Sequence, residues 1–235
     1  MLIPEGQFKV EIRMTNLQLS AVILDMDGTI TRFNLDSRGV KLTLLKELEQ
    51  ANLRTANMTE RSTILLLLQQ MRQQFDSENY ERFRNRFYAL LEEMEVKAAG
   101  EAVLHAGVLD TLNELKERSL RIGLVTNNSR KGTALTLNNL GLNGFFHTVV
   151  TRDDCQEMKP HPSPLSKALK NLDARADEAI YVGDSVNDIL AAKEAGLRSV
   201  AVTTGAASTQ QLLQYEPDYI LASLNDLPNL IAKTD

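Results

Sequence analysis

Asp25 and Asp27 stand one residue apart at the end of the apolar run Val22-Ile23-Leu24, with Gly28 and Thr29 directly behind them. Two carboxylates this close repel when both are ionised, and a divalent cation with oxygen ligands beside them removes the conflict. Magnesium is the natural candidate, and phosphate is the group such a site can process. A carboxylate can attack phosphorus and split a hydrolysis into two displacements, which makes Asp25 the candidate nucleophile. Asp27 can protonate the departing oxygen and then take a proton from water. Gly28 and Thr29 let the chain turn sharply, so that backbone donors can face the phosphate.

Three later segments add the remaining residue types. Gly123-Leu124-Val125 runs into Thr126 and Asn127, whose hydroxyl and amide can hold a phosphate oxygen without adding charge, although Asn127 serves as readily to cap a following helix. In Met158-Lys159-Pro160-His161-Pro162 a lysine precedes two prolines that stiffen its loop. Lys159 would neutralise charge on Asp25 and on the transferring group. Tyr181-Val182-Gly183 leads into Asp184 and Asp188. Asp184 is the expected second carboxylate on the metal, and Asp188 either ligates it too or orients the groups around it. His161 reads as a loop residue held between prolines, and Cys155 is given no role.

These segments need a frame that brings strand ends together. From residue 107 onward, short apolar runs alternate with helical periods: runs at 122–125, 148–150, 179–182, 199–202 and 219–221, and helices over 107–117, 131–140, 164–172, 186–195, 209–214 and 224–233. That alternation predicts an α/β fold with a doubly wound, Rossmann-like parallel sheet, in which ligands collect at the carboxyl edge of the strands. Gly141 and Gly196 follow helical segments, where a left-handed cap residue is favoured. Between residues 34 and 100 the strand-type runs vanish. Helices are expected over 40–53, 59–72 and 77–97, with Asn57 and Glu60 as a capping box for the second and Asp76 or Ser77 capping the third. The expected organisation is therefore a catalytic core of residues 1–33 and 101–235, with an all-helical cap domain over 34–100 inserted after the paired carboxylates, as a lid would be. Residues 8–12 alternate like an edge strand.

Composition narrows the function classes. The 235 residues are 43% hydrophobic, enough for a sizeable core, and no apolar run approaches the ~20 residues needed to span a bilayer. A soluble, cytoplasmic protein is expected. The single cysteine excludes an internal disulfide, and histidines 105, 147 and 161 are too scattered for a zinc-type cluster, which leaves oxygen ligands. A net charge of -5 gives no general attraction to nucleic acid or to an anionic membrane. The expected partner is a small phosphorylated metabolite met by a monomer or homodimer. Arg32, Asn34, Arg38, Arg54 and Arg61 are candidate contacts to an anion, and the 54–60 loop is the preferred specificity element.

The ordered set Asp25-Met26-Asp27-Gly28-Thr29, Thr126, Lys159-Pro160 and Gly183-Asp184 with Asp188 resembles the four motifs of the haloacid dehalogenase superfamily of hydrolases. The stretch from Thr151 through Lys159 to Asp188 is similar to its phosphoglycolate phosphatase-like branch. The resemblance implies a magnesium-dependent phosphatase acting on a small phosphomonoester through an aspartyl-phosphate. It further implies that the Asp27 backbone carbonyl joins Asp25 and Asp184 on the metal, and that cap motion gates the site. Asp27 occupies a position that the dehalogenase members fill differently, which favours a phosphoryl substrate over carbon–halogen cleavage. The alternatives are a phosphosugar mutase, disfavoured by the lack of histidine in residues 31–104, and a catalytically silent binding protein, which would have little use for every charged group of the reaction.

Overall fold

The protein is described by a computed structural model over residues 19–32 and 37–232. Six strands form one parallel sheet: β1 (Ala21–Leu24), β2 (Arg121–Val125), β3 (Thr148–Val150), β4 (Ala179–Gly183), β5 (Arg198–Val202) and β6 (Tyr219–Leu221). Their order is β3-β2-β1-β4-β5-β6, and every pairing is parallel. This is the doubly wound α/β arrangement. All four residues of β1 and all five of β4 are buried, which is why these strands read as continuous apolar runs rather than alternating ones. The register pairs Leu24 with Leu124 on one side and with Val182 on the other. Asp25, Val125 and Gly183 are thereby brought to one edge of the sheet.

The helices are α1 (Arg38–Gln50), α2 (Ile64–Gln74), α3 (Ser77–Ala99), α4 (Val108–Glu117), α5 (Arg130–Asn139), α6 (Ser163–Leu172), α7 (Val186–Glu194), α8 (Thr209–Leu213) and α9 (Leu227–Ala232). The described residues fall into two compact units: 19–32 with 103–127 and 142–232, and 37–102 with 128–141. In the first, α6 packs on β2 and β3, and α7 packs on β4 and β5. Leu165, Ala168, Leu169 and Leu172 of α6 join Ile23, Val125, Tyr181, Ala191 and Ala192 in one apolar cluster. In the second, entirely helical unit, α3 packs against α1, α2 and α5. The buried carboxylate of Glu95 on α3 accepts from the Ser129 backbone N–H at 2.8 Å, just ahead of α5.

Three expected helices differ from their observed limits by three residues or more. The second helix of the insert starts at Ile64, five residues later than its period suggested, because Thr63 is its N-cap and accepts from Leu66 N–H at 3.1 Å. The proposed capping box does not form: the Asn57 side-chain oxygen accepts from the Thr55 hydroxyl, and Glu60 pairs with Arg38 at 3.1 Å. Helix α1 stops at Gln50 rather than 53, and Asn52 just beyond it adopts a left-handed backbone with φ 56°. The expected helix over 224–233 is divided into a 3-10 turn, Leu224–Asp226, and α9. Pro228 has no N–H to donate and is accommodated in the first turn of a helix, not in the interior of a longer one. Asp76 caps α3 as expected, accepting from Asn79 N–H. Residues 8–12 and Asn34 lie outside the described residues.

Candidate active site

Lys159 is the centre of a buried polar cluster at the carboxyl edge of the sheet. Its Nζ lies 2.5 Å from Asp25 Oδ1, 2.7 Å from Asp188 Oδ1, 2.7 Å from the Tyr181 hydroxyl and 3.2 Å from the Val125 carbonyl. Only 4% of the Lys159 side chain is exposed. Burial opposes its charge, but the Asp188 and Asp25 carboxylates outweigh burial and hold the ammonium protonated well above its ordinary range.

The acids divide by environment. Burial, reinforced by the neighbouring Asp188 and Asp184 carboxylates, pushes Asp25 well above the usual carboxylate range despite Lys159. Burial and Asp188 likewise raise Asp184 to about 7, against the opposing pull of Lys159 and of the Asp184 and Ala206 backbone N–H groups. Asp188 is also buried, yet Lys159, Ser185 and Tyr181 together draw it below the ordinary value. Its Oδ1 accepts from Lys159 and from Tyr181, at 2.7 and 2.8 Å. Its Oδ2 accepts from the Ser185 N–H at 3.0 Å and the Ser185 hydroxyl at 2.5 Å. Four donors fill the acceptor sites of one carboxylate.

Oxygens of Asp25, Asp184 and Asp188 lie within 4.8 Å of one another, and all three residues are buried. Fully ionised, they exceed the Lys159 ammonium by two negative charges. Hard oxygen donors carrying that excess fit a divalent cation such as Mg2+.

Asp27 is half-buried and stands outside this cluster; its Oδ1 accepts from the Thr31 hydroxyl at 3.0 Å. The turn that carries it closes with Gly28 N–H donating to the Thr31 carbonyl at 2.7 Å. Gly28 has φ 83°, and a Cβ there would lie 2.5 Å from Asp184 Oδ2, so both the turn and the neighbouring carboxylate require glycine. Thr126 is buried beyond the end of β2, with its N–H bonded to the Val150 carbonyl at 3.0 Å. Asn127 holds the lysine loop: its Nδ2 donates to the Lys159 carbonyl and its Oδ1 accepts from the Lys159 N–H, both at 3.0 Å. Arg152, itself buried, donates to the Asn127 carbonyl at 2.9 Å.

In the helical unit, Arg54 pairs with Glu49 at 2.8 Å beside a depression of about 530 Å³ lined by Glu49, Asn52, Arg54, Thr55 and Ala56. Arg32 and Arg61 are exposed. His161 Nδ1 accepts from Ser163 N–H at 3.2 Å, a local turn contact.

Sequence reasoning did not single out Tyr181, Thr31, Arg152, or the loop after β5. In that loop the Thr204 hydroxyl donates to the Gly28 carbonyl at 2.6 Å, and a Cβ on Gly205 would lie 2.5 Å from Asp184 Cβ. A Thr-Thr-Gly run directly behind a buried strand was the available signal for this loop; Tyr181 was hidden inside an apolar run.

The family model for haloacid dehalogenase-like hydrolases matches residues 22–202, which take in Asp25, Lys159, Asp184 and Asp188 alike. The chain belongs to the haloacid dehalogenase-like hydrolases. A pyrophosphatase named PpaX from Bacillus mycoides is 31% identical over 229 residues, spanning 92% of this chain and 99% of that protein. Among solved structures, a hydrolase from Pseudomonas syringae superposes with a TM-score of 0.66 at 24% identity, covering 91% of this chain and 98% of the other. A protein described as a predicted phosphoglycolate phosphatase from Haemophilus somnus superposes with a TM-score of 0.64 at 24% identity, with 91% and 98% covered. At that identity the two structures show a shared fold. Among the described residues no helix is long and apolar enough to cross a membrane.

Proposed function

We propose that this hydrolase is a phosphatase that transfers a phosphoryl group to Asp25 and then to water. The observation that carries the reading is the Lys159 ammonium donating at once to Asp25 and Asp188 inside a buried cluster with Asp184. In the first displacement an Asp25 carboxylate oxygen bonds to phosphorus while the bond from phosphorus to the leaving oxygen breaks, and Asp27 gives that oxygen its proton. In the second, water bonds to phosphorus, Asp27 takes the water proton, and the bond to Asp25 breaks, returning both carboxylates to their starting state. Lys159 offsets charge on Asp25 and the transferring group throughout. Thr126 and the Gly28 turn supply uncharged donors to phosphate oxygens, and Asn127 serves by holding the lysine loop.

Asp25, Asp184 and the Asp27 carbonyl are the proposed holders of Mg2+, which when bound supplies positive charge against the phosphate oxygens and keeps Asp25 ionised. Asp188, with both oxygens already taken by four donors, fits the role of orienting Lys159 rather than ligating the metal directly. Residues 34–100 are proposed to act as a cap domain.

The substrate class is a small phosphomonoester. A second reading, inorganic pyrophosphate, is favoured by the PpaX relative and uses the same residues. Phosphate release from p-nitrophenyl phosphate, phosphoglycolate, sugar phosphates and pyrophosphate, each with Mg2+ and with a chelator, tests the reading and separates the two substrates. Activity is expected to need Mg2+ and to vanish in Asp25→Asn, while near-normal turnover by that variant overturns the nucleophile assignment. Isomerised sugar without free phosphate would favour the mutase alternative.

A further inference from the structure

Tyr181 sits in the middle of β4, only 1% exposed, with its ring packed in the apolar cluster of Ile23, Val125, Leu165 and Ala191. That packing fixes the ring, and the hydroxyl at its tip reaches the charged cluster. The oxygen is 2.7 Å from Lys159 Nζ, 2.8 Å from Asp188 Oδ1 and 3.4 Å from the Val125 carbonyl.

Hydrogen counting assigns the direction of each bond. An ammonium only donates, a carboxylate only accepts, and a phenol does one of each. The Tyr181 hydroxyl therefore accepts from Lys159 and gives its own hydrogen to Asp188, since the Val125 carbonyl is distant. Lys159 has three hydrogens and four oxygens within reach, of which the Val125 carbonyl at 3.2 Å is the farthest. The three shorter contacts, to Asp25, Asp188 and Tyr181, use the whole set.

We propose that Tyr181 is a positioning residue for phosphoryl transfer, its hydroxyl engaging one hydrogen of Lys159 and one acceptor site of Asp188 so that the ammonium stays aimed at Asp25. Without the hydroxyl, that hydrogen turns to the Val125 carbonyl. Asp188 Oδ1, short of one donor, then competes more strongly for the ammonium, and charge moves away from Asp25. The loss falls on the step in which Asp25 attacks, not on substrate capture. This inference rests on the phosphatase reading for its kinetic consequence but not for the contact itself.

The experiment uses Tyr181→Phe, which keeps the ring and its packing. With p-nitrophenyl phosphate and Mg2+, kcat is expected to fall about tenfold, the loss of one hydrogen bond to a charged group, with KM within about twofold of wild type. The 15N resonance of the Lys159 ammonium, assigned by its disappearance in Lys159→Met, is expected to shift and broaden in Tyr181→Phe. A kcat within about twofold of wild type, or a loss expressed wholly in KM, overturns the proposal. If Tyr181→Phe does not fold, the wild-type protein decides: a Tyr181 hydroxyl proton with a cross-relaxation peak to the Lys159 ammonium supports the contact, and its absence overturns it. Wild-type protein that releases no phosphate from any ester or pyrophosphate sinks the phosphatase reading instead, and the ammonium spectrum still reports on Tyr181.

Discussion

Replacing Gly205 with alanine puts a methyl group into space that Asp184 already occupies. The new carbon would lie 2.5 Å from Asp184 Cβ and closer still to its carboxylate, where the shortest ordinary contact is 3.4 Å. The shortfall at Cβ, about 0.9 Å, cannot be met by turning a side chain, because Cβ is fixed by the main chain. Either the end of β4 or the loop after β5 must move. Gly28 approaches the same carboxylate closely, since a Cβ there would stand 2.5 Å from Asp184 Oδ2 and 3.0 Å from Gly205 Cα, so the space between these two glycines and Asp184 is already tight. Overpacking of this kind costs about 1–3 kcal/mol of stability. A displaced Asp184 carboxylate should also weaken the proposed metal site by about 10–100-fold, the loss typical when the shell that orients a ligand is disturbed. The assay is the Mg2+ dependence of p-nitrophenyl phosphate hydrolysis, read as the concentration for half-maximal rate, alongside urea unfolding. Gly39→Ala in α1 is the control, because a Cβ there meets nothing within 4 Å. A Gly205→Ala enzyme that folds and needs no more Mg2+ than wild type would refute the reasoning.

Lys159→Met should destabilise the metal-free protein by about 3–5 kcal/mol, because the Asp188 carboxylate, which Lys159 draws below its ordinary value, remains buried without its countercharge. A change under about 1 kcal/mol in urea unfolding would contradict that charge balance. The metal-free protein should also lose stability as pH rises from 5 to 8. Asp184, titrating near 7 when folded and near 3.8 when unfolded, keeps a proton in the native state that the unfolded chain has already released, and Asp25 shifts in the same direction. The Asp184 effect is bounded at about 4 kcal/mol, and saturating Mg2+ should flatten the profile; urea midpoints at both pH values, with chelator and with Mg2+, check this. Asp188, drawn below its ordinary value, titrates outside that window. Thr63→Ala should cost about 1 kcal/mol in thermal or urea unfolding through loss of the α2 cap, with catalysis of a generic ester retained.

The candidate site was legible where chemistry and strand ends coincide in sequence. Asp25 and Asp184 directly follow buried runs, Asp188 lies in the first turn of the helix just beyond, and Lys159 sits in a loop stiffened by prolines, and charged residues in such places stand out against the apolar pattern. Tyr181 gave no such contrast, because tyrosine is an ordinary strand residue and its hydroxyl has meaning only once Lys159 lies 2.7 Å away. The limits of α2 depart from the sequence expectation for a local reason. Asn57 and Glu60 have the right spacing for a cap, but Thr55 and Arg38 engage them first, and Thr63 takes over.

Hydrophobic periodicity and the placement of turn residues by themselves determined the alternation of strands and helices and the parallel α/β class, because both follow from which residues must leave water and how the backbone repeats. Contacts between distant parts of the chain were decided only by the tertiary structure. Asp25 and Lys159 are 134 residues apart, and Gly28 and Thr204 are 176 apart. Strand order and register bring those pairs within hydrogen-bonding distance, and burial there changes what the same side chains do: one carboxylate titrates near 7, another is held ionised by four donors, and a tyrosine becomes part of a charged network. Residue type sets the available chemistry, whereas desolvation and neighbours, which exist only in the folded molecule, set which form of it is expressed.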